Sequence, residues 1–225
     1  NVDNVDPSKI HKAFLLFPIQ IYFDFSGYVD MALGISCCLS IKLPINFNKP
    51  YLRSSLTEFW RNWHITLSNW FRDYIYIPLG GSKKNPMTRN INLILTMTIA
   101  GLWHGASLNF ILWGFLNGFI LSLEKYFKFF EKDNTFKIII NCAILFNLWI
   151  IFRIQDLSIL FNFFIILYSN ILLFFDLSNI VTLILTILFI FSQRFEDINK
   201  IKSFSNKLNF SYLLPFFIVI LFYSK

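Results

Sequence analysis

Charge is what this sequence has least of. Asp, Glu, Lys and Arg together supply 15% of its 225 residues, against about a quarter in a typical soluble domain, which excludes a water-solvated exterior over most of the chain. Cysteine is also scarce: Cys37 and Cys38 are adjacent and Cys142 stands alone, a spacing that matches neither a disulfide framework nor a metal site. Glycine and proline are concentrated toward the start of the chain, since all eight Gly fall between Gly27 and Gly118 and six of the seven Pro precede residue 90. Special backbone is therefore expected early and plain helix late. The 20 Lys and Arg exceed the 13 Asp and Glu, but they sit in short loops between apolar runs, as headgroup anchors do. With no zinc-finger or nucleic-acid motif beside them, they point to a lipid bilayer and away from a nucleic-acid partner.

What is abundant is apolar surface, at 56% of residues. Several stretches stay uncharged for the ~17 to 25 residues a membrane helix needs, so the expected fold is all-α, a polytopic integral membrane helical bundle. Spans are expected at Ala13 to Phe23, extended or bent around Gly27, and at Val29 to Leu43, an apolar hairpin with Asp24 and Asp30 inside it. Buried acids in a membrane require a partner or a water-filled cavity. Ile159 to Phe175 and Leu177 to Ser192 read as two packing spans joined near Asp176, with Asn147, Asn162 and Asn170 available to bond across helices. Ser211 to Tyr223 is short for a crossing.

Residues 44–90 carry seven Lys and Arg and are expected at the cytoplasmic face. Within them Leu56, Phe59, Trp60, Trp63, Leu67, Trp70 and Phe71 recur every three or four residues, the pattern of one amphipathic helix lying in the membrane interface. His64 falls at the boundary of its two faces, and Pro78, Gly80 and Gly81 mark a turn after it. Gly80 to Lys84 lacks the spacing of a phosphate-binding loop.

Between Arg89 and Glu124 lie 34 uncharged residues. As one helix they would run about 51 Å, against a hydrocarbon core of about 30 Å, so the segment must tilt, bend or break. Gly101-Leu102-Trp103-His104-Gly105 is the expected place, because glycines four apart admit a second backbone at close range, and Gly114 and Gly118 repeat the spacing. His104 is then expected deep in the membrane. A neutral imidazole donates and accepts at once, which makes a buried His beside a cavity a candidate general base. His11, near the polar start, has no such context.

Five motifs in order complete the reading: Tyr22-Phe23-Asp24-Phe25-Ser26-Gly27-Tyr28-Val29-Asp30-Met31-Ala32, Pro44-Ile45-Asn46-Phe47-Asn48-Lys49-Pro50-Tyr51, Glu58-Phe59-Trp60-Arg61-Asn62-Trp63-His64, Trp70-Phe71-Arg72-Asp73-Tyr74-Ile75-Tyr76-Ile77-Pro78-Leu79-Gly80-Gly81, and Gly101 to Ser107. Together they resemble the membrane-bound O-acyltransferase family, in the branch of the alginate O-acetyltransferase membrane subunit, with Trp149 to Arg153 as a weaker echo. Val29 stands where that family usually has Ser. The resemblance implies that residues 1–225 are the C-terminal part of one membrane domain, with a motif core at 20–120, packing helices at 136–225 and an N-terminal half of helices absent. It implies His104 as the catalytic residue and His64 as a second essential one, with Asp24, Asp30, Arg61, Trp63, Arg72, Asp73 and Trp103 in support.

The resemblance further implies a multi-pass protein of the cytoplasmic membrane that binds no cofactor or metal. Its donor would be an acyl thioester, acetyl-coenzyme A or an acyl carrier. Its acceptor would be an extracytoplasmic polysaccharide such as peptidoglycan or an alginate-like polymer, reached with an extracytoplasmic acyltransferase partner. A tunnel would bring thioester and hydroxyl together at His104. No order of Ser, His and Asp suggests a covalent triad. Two other classes compete: a polytopic transporter using Asp24, Asp30 and His104 along a pathway, and a catalytically silent membrane scaffold.

Overall fold

The computed structural model describes residues 6–83, 85–126 and 134–195, and among these every regular element is helical. The expectations for Ser211 to Tyr223, for the rest of 196–225 and for Lys84 lie outside the described residues. The helices are α1 (Pro7–Cys38), α2 (Leu56–Asn62), α3 (Ile65–Phe71), α4 (Pro86–His104), α5 (Leu108–Glu124), α6 (Thr135–Arg153), α7 (Leu157–Ser169) and α8 (Leu177–Ser192).

The first helix corrects the expected hairpin. α1 starts at a clear signal, Asp6 accepting from the Ser8 N–H at 2.9 Å with Pro7 in the first turn, the positions where a cap and a proline belong. It then runs unbroken for 32 residues, about 48 Å, past Pro18 and Gly27. Gly27 does not bend it because nothing approaches: a methyl group there would meet open space. Asp24 and Asp30 are exposed on this helix rather than buried in a hairpin. His11, by contrast, is fully buried, its Nδ1 2.7 Å from Pro7 O and its ring edge-on to Phe174.

α1 packs against α6, α7 and α8. Fully buried Tyr51 ties the following connection into that core, donating its hydroxyl to Pro18 O at 2.8 Å and its backbone N–H to Gln193 Oε1 at 3.1 Å. Phe59, Trp63, Phe146 and Trp149 surround it in a continuous aromatic cluster.

The expected amphipathic helix is two seven-residue helices instead, α2 and α3. They part at His64, whose φ of 43° and ψ of 55° are left-handed. The neighbouring connection accounts for the break: Asn48 N–H donates to Asn62 O (3.0 Å) and Ile65 N–H donates to Asn46 O (3.1 Å). Backbone groups that a continuous helix would satisfy internally are thus bonded to a second segment. α3 passes directly into a π-helical turn, Arg72–Tyr76, and then a turn in which Gly80 (φ 110°) and Gly81 (φ 54°) take conformations that favour glycine.

α4 and α5 form an antiparallel hairpin, so the 34-residue uncharged run reverses fully rather than tilting. Its glycines work as the spacing predicts. A methyl on Gly114 would overlap the backbone of Met97 and Thr98, one on Gly118 that of Ile94, and one on Gly101 that of Phe110. Backbone therefore lies on backbone along the hairpin, and His104 is the last residue before its turn.

α6 is the one helix among the described residues both long and apolar enough to cross a membrane alone; α5, α7 and residues 179–192 are apolar but shorter. The expected span from Ile159 to Phe175 is 13-residue α7 followed by a 3-10 turn at Ile171–Phe175, with Asp176 at the junction to α8. Asn147 joins α6 to α7 by accepting from the Tyr168 hydroxyl, whereas Asn170 bonds only locally, to Ile166 O and Ser169 Oγ. The cysteines are free.

Candidate active site

Asn46 builds one side of the site. Its Oδ1 accepts from the Thr66 N–H at 3.1 Å and from Thr66 Oγ1 at 2.7 Å, and lies 3.3 Å from His64 Nδ1. Because a backbone N–H can only donate, the atom facing it is the amide oxygen, and the imidazole nitrogen beside that oxygen carries its proton. This tautomer leaves His64 Nε2 as the open acceptor. Phe25 meets the imidazole edge-on at 4.6 Å between centroids. Burial, then the nearby His104, holds the His64 pKa down to about 4, so the ring is neutral at ordinary pH.

The other side is the α4–α5 turn. His104 is exposed among the described residues rather than buried as expected, with the rings of Trp103 (4.9 Å), Phe152 (4.9 Å), Trp113 (5.5 Å) and Phe110 (6.2 Å) beside it. Among the described residues its ring nitrogens have no hydrogen-bond partner, so aromatic packing orients the imidazole and both nitrogens stay available. The Asn109 amide at the start of α5 fixes the turn against α6, donating to Ile151 O (3.2 Å) and Phe152 O (3.1 Å).

His64 and His104 meet across one cavity of about 650 Å³. Asp24, Gln20, Tyr28, Gln155 and Arg153 supply its polar lining, and Trp60, Trp63, Trp113 and Trp149 much of the aromatic wall. A second cavity of about 330 Å³ lies on another side of His104 and carries Arg61, Arg72 and Lys125. Burial, followed by the charges of Arg89 and Arg61, presses the Lys125 ammonium below its ordinary range. Trp60, Leu67, His104 and Trp113 border both cavities.

The expected residues thus divide. His104, His64, Asp24 and Trp63 face the larger cavity, and Arg61 and Arg72 the smaller. Asp73 reaches neither and pairs with Arg72 at 2.8 Å, in contact with solvent. Asp30 borders neither cavity, and Trp103 turns outward with 59% of its surface exposed. Trp60, Trp113, Trp149, Arg153 and Lys125 are among the lining residues to which the motifs gave no role, although Trp149 and Arg153 lie in the weaker echo.

Two histidines thus face one cavity of a helical bundle, one of them at the reversal of a glycine-packed hairpin. The profile of the membrane-bound O-acyltransferase family matches residues 10–161, and this chain belongs to that membrane-bound family. Over 149 residues it is 44% identical to a "probable alginate O-acetylase" of Pseudomonas fluorescens, covering 64% of this chain and 30% of that protein. It is 45% identical over 150 residues to the peptidoglycan O-acetyltransferase of Helicobacter pylori, covering 64% and 28%. It is 34% identical over 125 residues to the teichoic acid D-alanyltransferase of Bacillus subtilis, covering 52% and 31%. The chain spans about a third of the length of the curated relatives it matches.

Proposed function

We propose that the protein is a multi-pass O-acyltransferase of a bacterial cytoplasmic membrane, moving a small acyl group, acetyl by analogy with its relatives, from a thioester to hydroxyls of an extracytoplasmic polysaccharide. The observation that carries this reading is the position of His104, which borders both cavities at once. A base reached from two sides can meet a donor on one and an acceptor on the other.

The smaller, basic cavity is the donor side, since Arg61, Arg72 and Lys125 suit the phosphates carried by coenzyme A or by the prosthetic group of an acyl carrier. The larger one, polar at Asp24, Gln20 and Gln155 and aromatic elsewhere, receives the hydroxyl. His104 takes the hydroxyl proton as that oxygen bonds to the thioester carbonyl carbon. The carbon–sulfur bond then breaks, and the leaving thiolate recovers the proton from the imidazolium. His64, neutral and with Nε2 open, accepts a hydrogen bond from a neighbouring donor group of the acceptor molecule and so orients the reacting hydroxyl toward His104, rather than polarising the carbonyl.

A large glycan does not enter a 650 Å³ cavity as a polymer. The hydroxyl is therefore either a single protruding sugar hydroxyl or the nucleophile of an extracytoplasmic acyltransferase partner that relays the group. The test is the amount of ester-linked acetate released by mild alkali from envelope polysaccharide of cells carrying the full-length protein. With membrane level matched, His104→Ala is expected to lower it to the background of cells lacking the protein, and acetate at the wild-type level rejects the reading.

A further inference from the structure

The two cavities share four bordering side chains, and one of them is bolted in place. Trp60 Nε1 donates to Asn117 Oδ1 at 3.0 Å. Asn117 is fully buried, and its Nδ2 donates to Trp113 O at 2.8 Å, which fixes the amide so that its oxygen faces the indole. Trp60 also meets Trp113 edge-on at 5.6 Å, and Trp113 in turn meets His104 edge-on at 5.5 Å. Two turns along the same helix Glu124 clamps the N-terminus of α2, accepting from Leu56 N (2.6 Å), Thr57 N (2.9 Å) and Thr57 Oγ1 (2.7 Å). The helix that carries Trp60 is therefore pinned to α5 at its start as well as at the indole.

Resting on the reading above, we infer that Trp60, locked by Asn117, is a specificity-determining residue that restricts transfer to acyl groups about the size of acetyl. An acyl chain delivered from the basic cavity reaches His104 along the boundary that Trp60, Leu67 and Trp113 form. Leu67 can change rotamer and make room, but an indole held through its N–H and by edge contact cannot swing aside without leaving the Oδ1 of fully buried Asn117 unpaired. A leftover polar group in such a place is costly, so the wall stays closed to added methylenes. Packing discrimination of this kind amounts to about tenfold or more for each methylene.

Permeabilised cells carrying the full-length protein are given acetyl-, propionyl- or butyryl-coenzyme A in turn, and the acyl esters on envelope polysaccharide are released by mild alkali and quantified. The readout is the butyrate-to-acetate ratio. It is internal to each variant and so insensitive to folding yield. The wild type is expected to show a ratio below about 0.01. Trp60→Ala raises the ratio about tenfold or more, and Trp60→Phe and Asn117→Leu raise it by smaller factors; these two decide the matter where Trp60→Ala does not insert. A ratio unchanged in all the variants that transfer acetyl, or a wild type that transfers butyryl as readily as acetyl, overturns the selectivity assignment while leaving the acyltransferase reading standing. Absence of acetyl transfer by the wild type, from acetyl-coenzyme A and from an acetyl-loaded acyl carrier alike, overturns that reading, and this inference with it.

Discussion

Asn46 Oδ1 lies 3.3 Å from His64 Nδ1 while also accepting from the backbone and hydroxyl of Thr66. One side chain therefore supports the start of α3 after the break and sets the tautomer of the imidazole beside it. Asn46→Leu removes the acceptor and strands the Thr66 N–H. A loss of about 1–3 kcal/mol of stability is expected, together with a fall in transfer greater than that of the same-size Asn46→Asp, which keeps an acceptor oxygen. Thermal unfolding in detergent and acyl transfer by the same preparation measure the two effects. Equal transfer by both variants contradicts the tautomer role.

The pH response of His64 follows from its surroundings. Its pKa is lowered to about 4 from the ordinary value near 6.5, so the neutral form persists as pH falls from 7 to 5 and protonation arrives only around 4. An acid limb seen between pH 5 and 7 then belongs to another group and keeps its midpoint in His64→Gln, even though the rate drops. A limb near pH 6 that vanishes in that variant contradicts the assignment.

Gly114 and Gly118 allow α5 to lie on the backbone of α4. Gly114→Ala and Gly118→Ala each drive a methyl into main chain that no rotamer change can relieve, with an expected cost of about 1–3 kcal/mol. Gly27→Ala, where nothing lies within 4 Å, gains helix propensity of about 1 kcal/mol and leaves stability the same or higher. Protease resistance of membrane-inserted protein distinguishes the two groups.

Glu124 makes three bonds to the start of α2. Glu124→Ala is expected to cost about 0.5–2 kcal/mol through loss of that cap, and Glu124→Gln less, since it retains one acceptor oxygen. Thermal unfolding of the two variants side by side checks the order.

Much of this arrangement was legible in the sequence wherever the governing physics is local. The reversal at His104 follows from a run too long for one crossing and from glycines at a repeating interval. His64 was legible as a residue of interest but not as a break, because the apolar period continues from Phe59 and Trp63 to Leu67 across a left-handed residue that is not glycine. The main-chain bonds that account for the break come from Asn46 and Asn48, in a separate connection earlier in the chain. Gly27 misled in the other direction: without a neighbour close by, a glycine inside an apolar run is simply helix. Asn117 and Glu124 were silent because their partners, Trp60 and Thr57, lie 57 and 67 residues away, beyond any periodic signal. Lys125 was equally silent, because only folding brings it to the cavity that Arg61 and Arg72 also line.

The most direct measurement is acyl transfer from a labelled thioester in membranes containing the full-length protein, comparing wild type with His104→Gln at matched protein level and confirmed insertion. Placement of the base between the two cavities predicts a loss of about 10²-fold or more. Transfer by His104→Gln at the wild-type rate would contradict it.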